Sequence, residues 1–316
     1  MSHSLNSLYR MLGVSKQAIH QQRRRAAIFE SKLAELVLQV DILRSEHPGC
    51  GVEKMYYSLQ PDFLGRDRFV SLMMDLGYRV KHPKNYTKTT FSVSSKYENL
   101  IKGLLVRQIN QVVQTDISYI LIKDKYHYLI FIIDVYSKRI VAYQASDHMR
   151  ASANRASLKQ MISLRGRQQL RGMIHHSDRG SQYNEKYYIS LLEQLGCYIS
   201  MGQKAQENAY AERINGIIKN EYLSYWKIDN LQQLKKKLKK AVQHYNQKRP
   251  HDHLPNRMSP IEFENAIQKQ ELEQQHFELI YAKQNYHKRP HQFNLPSEIK
   301  KQTGYFCPIF DNFFSK

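Results

Sequence analysis

The chain changes periodicity near residue 106, and that change constrains its fold more than any other feature. Before it, apolar residues recur at helical spacing. After it come three β-branched and aromatic runs, "VVQTDISYILI", "YHYLIFIIDVYS" and "RIVAYQAS", separated by short polar breaks. Such runs are strands of a meander. "ASANRASLKQMISL" then reads as a helix, "GMIHHSD" as a strand, "NEKYYISLLEQLG" as a helix and "CYISMG" as a strand. A long helix follows from about Asn208 to Tyr225. Three antiparallel strands followed by alternating helices and strands predict an α/β domain built on a mixed sheet.

The segment before this domain is helical. Leu5, Leu8 and Leu12 share a face, Gly13 permits a turn, and Ser15 is a natural N-cap for a helix Ser15–Arg24. A helix, tight turn and second helix form the helix-turn-helix pattern, whose second helix can enter a major groove. The run Arg23, Arg24 and Arg25 suits DNA phosphates. A further helix over Ala27–Glu46 ends at "HPGCG", and "GVEKMYYSLQ" with "GRDRFVSLMMDLGYRV" repeats the arrangement. In this repeat Gly77 is placed as the C-cap glycine. This second unit reads equally well as a small helical packing module. The reading therefore divides the chain into helices over residues 1–81, a linker over 82–105 and an α/β core over 106–228. C-terminal helices over 229–278 and a tail over 279–316 complete it.

Charge narrows the partner. The net charge is +20, distributed as +8 over residues 1–107, +6 over 108–228 and +6 over 229–316. An excess spread along the whole chain fits a polyanion touched by every segment, and nucleic acid is the commonest. Within "NLQQLKKKLKKAVQHY", Leu231, Leu234, Leu238, Val242 and Tyr245 share one helical face beside five lysines. A solvated basic face is the default for such a run, with a DNA-backbone contact second. No stretch is apolar enough for a membrane span or a signal peptide. The cysteines Cys50, Cys197 and Cys307 form no Cys-x-x-Cys pair, which fits a reducing cytoplasm rather than a disulfide framework or zinc site.

Three carboxylates fall where the expected sheet could gather them: Asp116 in the first strand, Asp178 past the fourth, and Glu212 at the start of the helix after the fifth. Two divalent ions between such acids can activate a water or hydroxyl and stabilise the leaving oxygen in phosphoryl transfer. Hard oxygen ligands suit Mg²⁺. Spacing alone equally allows a turn Asp, a strand Asp and a helix-cap Glu. Lys219, seven residues after Glu212, returns to nearly the same helical face, whereas Glu207 and Glu221 point away. Asp134, at the end of the neighbouring strand, is read as structural. His176, beside Asp178, is a candidate contact to the scissile phosphate. The His251-x-His253 pair lacks a further ligand and reads as a turn.

"QTDISYI", "DVYSKRIVAY", "HHSDRGSQY", "ISMG", "ENAYAERINGIIKNEYL" and "YNQKRPHDHLPNRMSPIEF" occur in this order. Over about residues 5–265 the chain thereby resembles bacterial insertion-sequence transposases, in their second-reading-frame (OrfB) type with a retroviral-integrase-like core. The resemblance implies a ribonuclease H-like core behind an all-α helix-turn-helix region. It also implies a DDE active site carried by Asp116, Asp178 and Glu212, with Lys219 as the trailing basic residue. Two Mg²⁺ ions, replaceable by Mn²⁺, would support cleavage and strand transfer on double-stranded DNA, at terminal inverted repeats and at a target. A homo-oligomer in the DNA complex, an upstream first-frame product as partner and a nucleoid-associated cytoplasmic location follow from the same resemblance. The alternative is a catalytically inactive DNA-binding remnant or regulator, and a further rival is a nuclease of this fold that cuts without joining. The chain departs from the family pattern in three places. Val113 stands where a tryptophan is common, and the 33 residues between Asp178 and Glu212 are two fewer than usual. The tail over 279–316 extends past the family core.

Overall fold

The computed structural model describes residues 9–11, 13–80, 97–202, 205–272 and 278–279. The chain forms two compact units, Met1–His82 and Pro83–Lys316.

In the first unit, α1 (Lys16–Glu46), α2 (Val52–Leu59) and α3 (Arg66–Asp75) follow a turn at Gly13, whose φ is +64°. Leu5, Leu8 and most of the first expected helix lie outside the described residues. Ser15 caps α1 as expected, its Oγ accepting from the Ala18 N–H at 3.0 Å. The two helices read over Ser15–Arg24 and Ala27–Glu46 are one continuous helix of 31 residues. The reason is local: nothing between Arg24 and Ala27 supplies a cap, a glycine or a proline, and arginine and alanine are strong helix formers. Arg23, Arg24 and Arg25 thus lie mid-helix and solvent-facing. The far end of α1 buries Leu36 and Val40 against Met55, Phe69 and Met73. The Arg44 guanidinium donates to the carbonyls of Pro48, Cys50 and Tyr78, fastening the turn after α1 to the end of the unit. Gly77, with φ +85°, ends α3 as the sequence predicts.

The second unit is built on five strands: β2 (Val112–Ile122), β3 (Lys125–Asp134), β4 (Ile140–Ser146), β5 (Ile174–Ser177) and β6 (Tyr198–Met201). Their spatial order is β4-β3-β2-β5-β6. The first three pair antiparallel, and β2-β5 and β5-β6 pair parallel. This mixed sheet with helices on both faces is the ribonuclease H-like arrangement. β3 is buried on both faces and so reads as an unbroken apolar run. Leu129, Phe131 and Ile133 pack against α6 (Ala209–Ile217) and α7 (Leu231–Gln247), while Ile132 packs against α4 (Ala151–Arg165) and α5 (Lys186–Gln194).

The expected helix Asn208–Tyr225 is continuous but changes pitch. After α6 come a π-helical turn, Ile218–Tyr222, and a 3-10 turn, Leu223–Tyr225. The wider turn keeps Ile214, Ile218 and Tyr222 all on the sheet.

Two boundaries also differ. Residues 97–105, read as linker, pack onto the core. Ile101 is fully buried, the Leu100 N–H donates to Ser200 Oγ at 2.9 Å, and the Met201 N–H donates to the Glu98 carbonyl at 3.1 Å. A short strand β1 (Leu105–Val106) pairs antiparallel with β7 (Glu278–Leu279), so the division read between 278 and 279 falls inside a paired strand.

The C-terminal helix α8 (Pro260–Gln268) starts on a capping box between Ser259 and Glu262. Its Glu264 is 1% exposed and is the centre of an ion network. Its carboxylate accepts from both terminal nitrogens of Arg165, from Arg139 and from Ser137 Oγ. Burial would raise the Glu264 pKa, but the two guanidiniums and the hydroxyl together hold it below the usual range. Removing one member of a buried pair leaves the other charge unsatisfied, at about 3–5 kcal/mol. Glu264→Ala is therefore expected to destabilise the second unit by about that amount. The single tryptophan, Trp226, packs against this unit's core, so its fluorescence during urea unfolding reports the destabilisation.

Candidate active site

The parallel pairing of β2 with β5 sets the site. Its register runs Val112↔Ile174, Val113↔His175 and Gln114↔His176. Asp116 follows the paired segment of β2 by two residues, and Asp178 follows that of β5 by two. β5 ends at Ser177, and Asp178 closes a turn by accepting the Gly180 N–H on Oδ1 at 3.0 Å. A Cβ at Gly180 would stand 3.0 Å from that same oxygen and 2.9 Å from Gln182 Oε1. The glycine behind the aspartate is thus what lets the turn close on it.

Glu212 lies in the first turn of α6, and β2 holds that helix start directly. Gln114 Oε1 accepts from the Tyr210 N–H at 3.1 Å and the Ala211 N–H at 3.4 Å, so two of the unpaired amides at the helix start find a partner. Asn208 Nδ2 donates to the Thr115 carbonyl at 2.8 Å. One turn into α6, Asn215 Nδ2 donates to Asp116 Oδ2 at 2.7 Å. Sequence reasoning missed Gln114, Asn208 and Asn215. The available signal was a glutamine inside an apolar strand two residues before an acid, and an asparagine three residues after Glu212.

The acids share one electrostatic field. Burial raises the Asp116 pKa to about 7, and the charges of Asp178 and Glu212 add to it. Burial also raises Asp178, against the stabilising Gly180 N–H. Glu212 is raised by burial and then by Asp178. Lys219 lies on the π turn, donates to Ser118 Oγ at 3.1 Å and places its ammonium 5.4 Å from the Tyr119 ring centroid. Burial lowers its pKa, while Tyr119 and Asp116 oppose that shift.

The rival acids serve the fold. Asp134 is fully buried and accepts from the N–H groups of Asn110, Tyr136 and Ser137. Glu221 takes a two-pronged contact from Arg249 at 2.8 Å. Glu207 sits in the 3-10 turn Ala205–Asn208, beside His176 and Gly202.

His176, expected to contact the phosphate, is buried beside Ser200. Its side chain has no solvent exposure, Nδ1 pairs with Ser200 Oγ at 2.8 Å, and burial lowers its pKa to about 3, leaving it neutral. His251 packs against the Tyr245 ring, and His253 Nε2 accepts from Arg213 at 2.9 Å.

Among the described residues, no three His, Cys, Asp or Glu side chains converge on one ion position. A magnesium-type site does not need that. Mg²⁺ commonly uses one or two carboxylates and completes its shell with water and substrate phosphate. Asp116 feels the charges of Asp178 and Glu212, and Glu212 feels that of Asp178. Their raised pKa values mark carboxylates short of countercharge.

The Asp116 shift has a stability consequence. Its pKa is raised in the fold, so the unfolded chain ionises it first. The folded state loses relative stability as pH rises from the ordinary aspartate range through about 7. Asp116→Asn keeps an acceptor for Asn215 and removes that penalty. Without metal, the variant should melt higher than the wild type at pH 8, with the gap closing towards pH 4. Melting curves across that range in chelator check this, and a pH-independent gap would count against the burial argument.

Comparison with known proteins agrees with the geometry. Family models described as "Integrase core domain" match residues 106–206 and 195–260. The chain is 32% identical over 209 residues to the insertion element IS600 31 kDa protein of Shigella sonnei, covering 63% of this chain and 75% of that one. It is also 32% identical over 192 residues to the transposase for insertion sequence element IS904 of Lactococcus lactis, covering 60% and 74%. A similar solved structure is the HTLV-2 integrase catalytic core domain in complex with magnesium, at 17% identity and a TM-score of 0.39, covering 52% of this chain and 99% of that one. With an integrase-type core and relatives that match along most of their own length, the chain belongs to the bacterial insertion-sequence transposases of the DDE, second-reading-frame type.

Proposed function

We propose that Asp116, Asp178 and Glu212 are the three catalytic acids of this transposase, and that they hold two Mg²⁺ ions for DNA cleavage and strand transfer at the element's ends. The observation that carries this is the β2–β5 register, which sets Asp116 and Asp178 each two residues past the pairing, inside a field shared with Glu212. Divalent ions bound there would polarise the scissile phosphate and ease ionisation of the attacking hydroxyl. The chain's own residues fix the geometry. Asn215 orients the Asp116 carboxylate, Gln114 and Asn208 hold the start of α6, and Gly180 lets Asp178 turn in. Attack by water, and then by the freed DNA 3′-hydroxyl, needs no covalent protein–DNA intermediate.

The double-stranded substrates are the terminal inverted repeats and a target site. The helical unit over residues 1–81 grips the ends, with Arg23, Arg24 and Arg25 along the exposed flank of α1 meeting phosphates. Two ends must be joined to one target, so the working form is a homo-oligomer, which an upstream first-frame product would assist. Among the described residues no helix is long and apolar enough to cross a membrane. A nucleoid-associated place in the cytoplasm suits such an enzyme.

Asp116→Asn, Asp178→Asn and Glu212→Gln are each expected to lower Mg²⁺-dependent nicking by about a thousandfold or more. Binding to the same DNA in Ca²⁺ should stay nearly unchanged. A Glu212→Gln protein that nicks normally would move the third role to another acid, with Glu207 tested next.

Lys219 is proposed to leave Ser118 for a DNA phosphate near the cut. Lys219→Ala should lower the slope of log affinity against log salt by about one, alike for different sequences. Titrations at several salt concentrations in Ca²⁺ measure it, and a wild-type slope would make the lysine a purely internal contact.

A further inference from the structure

Helix α7 carries a charge pattern that its own stability does not account for. Its inner face is core: Leu234, Leu238, Ala241, Val242 and Tyr245 are all buried. Its outer arc over two turns holds Lys235, Lys236, Lys237, Lys239 and Lys240, and none of its 17 residues is acidic. The lysines repel one another along the helix. Lys235 with Lys239 and Lys236 with Lys240 are like charges four residues apart, which repel on a helix surface. No acid stands in the first turn of the helix to meet its positive end.

No acid on the helix itself meets the run. Asp229, just before the helix, is paired with Lys123 at 3.1 Å. Lys237 and Lys240 lie 5.1 and 5.7 Å from the centroid of the Trp226 ring, which gathers their ammoniums on one side without removing charge. Basic amphipathic helices also bind membranes, but that mode inserts the apolar face. Here that face is already packed on the sheet.

We propose that the lysine arc of α7 is a track for the sugar-phosphate backbone of duplex DNA, separate from the three acids. α7 covers the same face of the sheet as α6, which carries Glu212. A duplex whose scissile phosphate is at the acids can therefore reach the lysines without crossing to the other face. The track reads charge and not sequence, since ammoniums on phosphates carry no base information. It rests on the reading that this chain acts on DNA, and adds a second place where the protein holds it.

The test is the full-length triple variant Lys235→Gln/Lys236→Gln/Lys239→Gln, which leaves Trp226 and its two lysines in place. Binding to a random-sequence duplex is measured across salt concentrations in Ca²⁺. The slope of log affinity against log salt should fall by about two to three, at roughly 0.9 for each phosphate no longer neutralised. The matching arginine triple should keep the wild-type slope. The glutamine variant should melt no lower than the wild type, because repulsion within the helix is relieved. A glutamine triple with the wild-type slope overturns the proposal. So does a reduced slope in the arginine triple, which would mean that helix geometry and not charge was changed. An acidic protein as the real occupant would show as the wild-type slope on DNA. Metal-dependent nicking by the wild-type chain is followed in parallel: its absence would count against the catalytic reading while the slope comparison still decides the track.

Discussion

The structure depends on one pairing, that of β2 with β5. Parallel strands need a crossover, and everything between β2 and β5 in the sequence serves it: the β2-β3-β4 meander and then α4. The pairing is short, since only residues 112–114 of β2 meet β5. Beyond it β2 runs on alone along that edge, and the first residues past the pairing include Asp116. The acid thus sits just past the end of the parallel pairing. A longer β5 would have covered it, and a shorter one would have left Asp178 out of reach.

That placement has an electrostatic cost, and the chain offsets only part of it. Asp116 receives one side-chain hydrogen bond, from Asn215, and Asp178 one amide, from Gly180. Glu264, more deeply buried, receives two guanidiniums and a hydroxyl. The two environments move carboxyl pKa values in opposite directions, Glu264 down and the three acids up. The same residue type is a fastener where its charge is fully met inside the protein. It is a binding group where the charge is left to be met from outside.

Much of this was legible in the sequence because it rests on local patterns. β-Branched and aromatic runs marked the strands, Ser15 and Gly77 marked helix ends, and the order of strands and helices pointed to the mixed sheet. The spacing of Asp116, Asp178 and Glu212 against those elements pointed to their grouping, although it could not exclude three structural acids. What escaped reading was contact between distant segments. Gln114 touches residues 96 and 97 positions away, and Asn215 reaches Asp116 across 99. His176 looked available because it lies two residues before Asp178, but its ring is buried against its cross-strand partner Ser200. The two helices read on either side of Arg25 joined because a charge run resembles a boundary without supplying a cap. The π turn at Ile218–Tyr222 had no periodic signature, since it answers to the sheet beneath it rather than to its own sequence.

The distribution of charge follows the same division between internal and external partners. Two acids of the second unit, Glu264 and Glu221, meet arginines that are themselves largely buried, Arg165 and Arg249. A guanidinium suits that task, because its planar fork matches a carboxylate and its pKa resists burial. The positive charge on the outer arc of α7 is lysine instead, on flexible stems. An ammonium is a mobile point charge, suited to phosphates whose positions shift along a bending duplex. The chain thus uses arginine at these two internal joints and lysine on this outer arc, while leaving its least compensated carboxylates at the one edge where the sheet ends.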